Sequence, residues 1–333
     1  MKRRNVLRAG GLTAVISLGL TGAPTVSVRT VGEARAAGDE ARPEYERWLA
    51  LDEGALAFDY VDWATLEPFV ATELEEADPD EEVPDEYTTD PMIAPVSEGL
   101  ISAYFFVGIN LAQFGLGRLL DADGPFESTV EELLEVDDAF VVTGAITREE
   151  IDAELTAEPI ADFMTQLERT DERDGFDVYE SLDNEAAVAV GDDAIVVVDG
   201  TEVEDDSMAV LEETIDVAAG DVPRATDDSE AVAWLLEAAG NGDVAVGEFG
   251  GPFDVDELRH PSLAPLANAD GYVSSFTVED EETLRGDFAA ILPDADADEL
   301  EGIVGDSADE RTIDVDQERV TATGEWREEV RYE

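Results

Sequence analysis

The chain has 333 residues, with 84 Asp or Glu against 19 Lys or Arg and a formal net charge of -65, so no basic stripe is available for a nucleic-acid backbone. Cysteine is absent and histidine occurs once, as His260, which excludes disulfides, thiolate metal sites, Cys nucleophiles and multi-histidine metal centres within one chain. A content of 44% hydrophobic residues is not that of a disordered acidic tail, so the chain must fold while highly charged. At molar salt the Debye length falls to roughly 3 Å and neighbouring carboxylates stop repelling strongly. The economical reading is halophile adaptation. The rival is a polyanion that captures basic partners or metal cations, which calls for clustered charge where this chain spreads it evenly.

Residues 1–36 read as a leader. Arg3-Arg4-Asn5-Val6-Leu7-Arg8 resembles the twin-arginine export motif, an uncharged stretch follows from Ala9 to Val28, and Ala34-Arg35-Ala36 offers a small-x-small cleavage site. This segment holds six bases and one acid, which leaves 13 bases and 83 acids, net -70, in residues 37–333. The abrupt reversal is what a removable leader produces.

Beyond it, residues 54–62 alternate like a half-buried strand, 65–74 read as a helix with Pro68 in its first turn, and the acidic run 75–91 reads as a loop. Residues 99–117 are uncharged and reach the lower range of a spanning helix, roughly 17 to 25 residues. A buried helix of the folded domain is preferred to a membrane segment, because Ser102, Asn110, Gln113 and several glycines fall within the run and no cluster of bases flanks it. Residues 119–135 are expected to form an acidic loop and a short helix. Residues 139–146 read as a strand, followed by a capping box of Thr147 and Glu150 and a helix interrupted or restarted at Pro159 before ending near Arg169.

In the stretch 176–249, strands 186–190 and 194–198 flank a Gly191-Asp192-Asp193 turn and read as a hairpin at the centre of a sheet, buried on both faces. Helices at 208–219, capped by Ser207 and ended by Gly220, and at 231–239, ended by Gly240, lead to a strand at 244–249. A turn at 250–252, a short helix at 254–259, a strand at 272–278, a helix at 280–292, an acidic loop or helix at 294–305 and a hairpin of 312–315 with 319–326 complete the chain.

The predicted fold is α+β, mainly antiparallel sheet with helices packed on it, in two lobes built from repeated strand-helix units at 54–74, 139–155 and 271–292. The predicted organisation is a signal peptide at 1–36, an N-terminal part at 37–135 that contains the buried apolar helix 99–117, and a C-terminal α+β part at 136–333.

The Val-Val-Thr-Gly-Ala-Ile-Thr strand starting at Val141, the Tyr179-Glu180 approach, the 186–198 hairpin, the Ile215 to Gly220 helix end and the Asp227-Asp228-Ser229-Glu230 helix stand in a recognisable order. Together they resemble a family of uncharacterised twin-arginine-exported haloarchaeal proteins, similar to bacterial envelope proteins of a domain-of-unknown-function family. The resemblance covers roughly residues 140–250. It implies export and an α+β fold, and it brings no catalytic residue.

Gly305-Asp306-Ser307 matches the nucleophile block of a secreted esterase class, but His260 has no Asp three residues before it, and the block lies near the wrong end of the chain. Asp294, Asp296 and Asp298 alternate like a calcium loop, yet Glu299 stands where an EF-hand needs Gly, and Gly305 where it needs Glu. No phosphate-cradling loop occurs, and the single Lys is Lys2. No catalytic, cofactor-binding or metal residue is therefore assigned, and no cofactor. The expected function is that of an exported, halophile-adapted noncatalytic protein, an envelope-associated binding or structural domain; the alternative is a hydrolase with a carboxylate-based site. The expected partners are the export machinery for the precursor and no nucleic acid, with membrane association only through an uncleaved leader.

Overall fold

The computed structural model describes residues 42–76, 89–121, 124–161, 163–182, 186–199, 206–251, 253, 266–279, 283–293, 295 and 300–327. The leader, His260, the expected 254–259 helix and the calcium-like loop, Ala295 excepted, lie outside them. Twelve strands form one sheet: β1 Leu56–Asp62, β2 Thr129–Val136, β3 Ala139–Ala145, β4 Leu167–Arg173, β5 Phe176–Ser181, β6 Ala186–Val190, β7 Ala194–Asp199, β8 Val244–Phe249, β9 Gly271–Val278, β10 Thr283–Ile291, β11 Glu310–Asp316 and β12 Arg319–Arg327. Their order is β11-β12-β10-β9-β8-β1-β2-β3-β7-β6-β5-β4, with every neighbour antiparallel. The α+β reading holds.

Helices cover both faces. On one lie α1 Trp63–Glu76, α2 Ala94–Gln113 and α3 Arg148–Leu155; on the other lie the 3-10 turn Glu44–Trp48, α4 Ser207–Ala219, a single turn Ala225–Asp228 and α5 Glu230–Ala239. Alternation along the strands feeds both layers: Val188, Val190, Ile195 and Val197 pack on the α2 side, while Ala187, Ala189, Val196 and Val198 pack on the α4 side. This is why the 186–198 hairpin reads as continuously apolar.

α2 crosses the sheet. Near its start Ser274 on β9 donates to the Met92 carbonyl (3.0 Å), and at its end the Gln113 amide donates to Asp199 at the end of β7 (3.2 Å) and to Asn110 (3.0 Å). Midway, Gly99 lets the helix backbone settle onto β8 and β1, because a Cβ there would stand 2.3 Å from Val246 Cγ1. Asn110 and Gln113, two of the polar residues that argued against a membrane span, are thus bonded within the fold. Among the described residues no helix is long and apolar enough to cross a membrane.

Several expectations need correction. The 186–198 hairpin lies toward one side of the sheet, with only β5 between it and the edge strand β4, and the middle of the sheet is the β1-β2 pair. Residues 129–136, expected as loop and short helix, form β2: Thr-Val-Glu-Glu-Leu-Leu-Glu-Val has helix-forming Glu and Leu, but pairing with both β1 and β3 decides the outcome. Residues 283–291 form β10 rather than a helix for the same reason, since β9 and β12 bracket the segment and place Leu284, Phe288 and Ala290 in the core. The third strand-helix unit is therefore a strand pair. The helix after Thr147 ends at Leu155, and 167–173 is strand β4.

Cap chemistry also differs from expectation. Asp206 rather than Ser207 caps α4, accepting from the Met208 and Ala209 amides at 3.1 and 3.3 Å. Thr147 makes no side-chain cap, and Glu150 instead turns outward to accept from the Glu127 and Ser128 amides at 2.8 and 2.6 Å. Burial alone would raise the Glu150 pKa, but hydrogen bonds from Ser128 and Glu127 outweigh it and hold the carboxyl below its ordinary value. The edge strands β4 and β11 carry exposed Glu, Asp and Arg, which discourages pairing with another chain.

Candidate functional site

Beneath α2, the central strands carry polar residues where hydrophobic ones would be expected. On β1, Asp59 shares a face with Val61; on β8, Glu248 shares a face with Val244 and Val246; on β9, Tyr272 and Ser274 share one with Phe276. Register sets their spacing. Glu248 lies between Ala57 and Tyr272, and Asp59 opposes Val246, so Asp59 is the diagonal neighbour of Glu248, with Cβ atoms roughly 7 Å apart.

Asp59, Ser97 and Ser274 are 0% exposed and Glu248 is 8% exposed. The Phe253 ring meets the Tyr272 ring edge-on, centroids 6.0 Å apart, and closes one flank. The Oε1 atom of Glu248 is buried without a hydrogen-bond partner among the described residues. Among the described residues, the polar side chains on these three strand faces, Asp59, Glu248, Tyr272 and Ser274, all offer oxygen.

A second polar knot lies under the 3-10 turn. The Tyr60 and Thr143 hydroxyls both donate to Glu132, each at 2.9 Å, and Tyr45 stacks on Tyr60 with centroids 4.2 Å apart. Burial, with Glu132 adding to it, pushes both phenols well above their ordinary pKa, so they stay neutral donors. This knot is fully bonded and structural.

The Gly305-Asp306-Ser307 block is structural as well. The Ser307 hydroxyl donates to the buried Asp90 carboxylate (2.6 Å) and accepts from the Trp326 indole (2.9 Å), so it is held as a link and is not poised as a nucleophile. Asp174, Asp216 and Asp221 have oxygens within 4.8 Å of one another, but the Arg173 guanidinium already forks onto Asp216 at 2.8 and 2.7 Å.

One corner of the surface departs from the acidic rule. Ile160 (92% exposed) and Phe163 (68%) lie on the loop before β4, Leu182 (70%) follows β5, and Ile109 (50%) lies on α2. The Thr165 amide donates to the Gln113 carbonyl (2.8 Å), one helical turn beyond Ile109, and Leu167 pairs with Ser181, so these segments meet. Acidic Glu158 and Glu168 flank the loop in the chain, and the nearest guanidinium on β4, Arg169, is engaged by Asp177.

Sequence reasoning missed both features. A single Glu inside Val-Ala-Val-Gly-Glu-Phe, a strand otherwise apolar on both faces, was the available signal for the first. Two bulky apolar residues just after Pro159, in a segment outside any periodic pattern, were the signal for the second.

No protein-family model matches the chain, and no curated protein matches it. Among solved structures, crystal form I of TP0453 is similar at 12% identity and a TM-score of 0.44, covering 86% of this chain and 94% of that one. At that level the likeness assigns no role.

Proposed function

We propose that this protein is an exported, halophile-adapted, noncatalytic binding domain of the cell envelope, belonging with the haloarchaeal exported proteins that its sequence resembles. The observation that carries the reading is the apolar corner of Ile160, Phe163, Leu182 and Ile109 on an otherwise acidic surface. In a chain of net charge -65, water-exposed apolar side chains set among acids suit a partner whose face is apolar and cationic. The hydrolase alternative draws less support: its best carboxylates, Asp59 and Glu248, are only 0% and 8% exposed.

A photo-crosslinking residue at position 163, expressed in the native host, tests the reading. The expected result is one dominant envelope adduct that disappears when Ile160 and Leu182 are replaced by Ser and persists when Glu213, exposed on α4 across the sheet, is replaced by Gln. Diffuse crosslinking, or an adduct indifferent to Ile160 and Leu182, would remove the basis for a binding surface there. Export is tested separately. Replacing Arg3 and Arg4 with Lys is expected to leave precursor in the cytoplasm, and normal secretion of that double variant sinks the twin-arginine assignment.

A further inference from the structure

We propose that Glu248 and Asp59 form a binding site for one calcium-sized divalent cation, enclosed between α2 and strands β1, β8 and β9. The inference is independent of the binding surface above. A carboxylate taken out of water without a hydrogen-bond donor is costly, and in native proteins such a group is matched by a charge, an ion or a proton. Glu248 is 8% exposed, its Oε1 has no hydrogen-bond partner among the described residues, and it faces the α2 side of the sheet.

Asp59, diagonal to it on the neighbouring strand, is fully buried and lies directly under the helix, where a Cβ on Gly99 would come within 3.1 Å of its Oδ1. It already engages a neighbour, and the two oxygens of a carboxylate leave capacity for an ion as well. Two carboxylates neutralise one divalent ion, and Tyr272, paired with Glu248 across β9, adds a phenol oxygen to an environment of the kind hard cations take. Asp59, Glu248 and Tyr272 stand on strands paired on both sides within the sheet, so the carboxylates are held in register before the ion arrives.

The exported protein, stripped with chelator and held in molar KCl, is titrated with Tb³⁺ under tyrosine excitation and then back-titrated with Ca²⁺. The expected result is one tight, saturable, Ca²⁺-competed phase that weakens at least about tenfold in Glu248→Gln and in Asp59→Asn, and is unchanged in the exposed control Glu168→Gln. If Glu248→Gln fails to fold by circular dichroism, Asp59→Asn gives the same reading. An identical phase in Glu248→Gln assigns the signal to surface acids and overturns the proposal. So does the absence of a tight phase in the wild type, or a response to Na⁺ alone.

Discussion

Asp90→Ala is expected to lower the stability of this protein by about 3–5 kcal/mol, the largest effect of any single side chain outside the apolar core. The Asp90 carboxylate accepts from the Met92 amide (3.0 Å), the Gly305 amide (2.9 Å), the Ser307 amide (3.0 Å) and the Ser307 hydroxyl (2.6 Å). Asp90 and Ser307 are both buried, so truncation leaves several donors in a space that offers water little access. These bonds join segments 215 and 217 residues apart in the chain, and the Trp326 indole, bonded to Ser307, extends the link to β12. Loss of Asp90 therefore frees the lead-in to α2 from the segment before β11.

Ser307→Ala removes one of the four donors together with the acceptor for Trp326, and is expected to cost about 1–2 kcal/mol. Thermal unfolding followed by circular dichroism in molar KCl measures both variants. An Asp90→Ala protein that melts within about 1 kcal/mol of the wild type would show that the hub is redundant.

The second large effect is that of salt. Residues 37–333 carry net -70, and pairs such as Arg47 with Asp193 at 3.2 Å and Arg118 with Asp121 at 3.2 Å are exposed and contribute little each. Self-repulsion is left to the solvent to screen. The protein is expected to unfold cooperatively from a folded state in roughly 1 M KCl or NaCl and to lose that state on dilution to about 0.1 M, where the Debye length grows from about 3 to about 10 Å. Circular dichroism and melting across that range decide it, and thermal stability undiminished at low salt would contradict the halophile reading.

Local signals account for much of the fold. Strands β1, β3, β6, β7, β8, β9 and β12 and helices α1, α4 and α5 follow from alternation, β-branched runs and Gly stops visible in the chain, with ends displaced by a residue or two. β2 and β10 were not legible, because Glu, Leu and Ala in them favour helix locally, and only partners on both sides, one from each flank, make them strands. Asp59 and Glu248 were hidden for a different reason. Among 83 acids outside the leader only Glu248 stood out, as a lone acid in an apolar strand, and nothing marked Asp59 as its neighbour; their significance appears only when β1 and β8, far apart in the chain, pair and α2 closes over Asp59.

What the sequence by itself determined is the solvent regime, the chemistries excluded by one His, no Cys and one Lys, and the local elements, because each depends on composition or on spacing within a few residues. Only the tertiary structure decided the single twelve-stranded order, the Asp90 hub, the enclosed carboxylates and the apolar corner. Each of these depends on which distant residues share a face and on whether water reaches them, and no local pattern encodes burial produced by a partner hundreds of residues away.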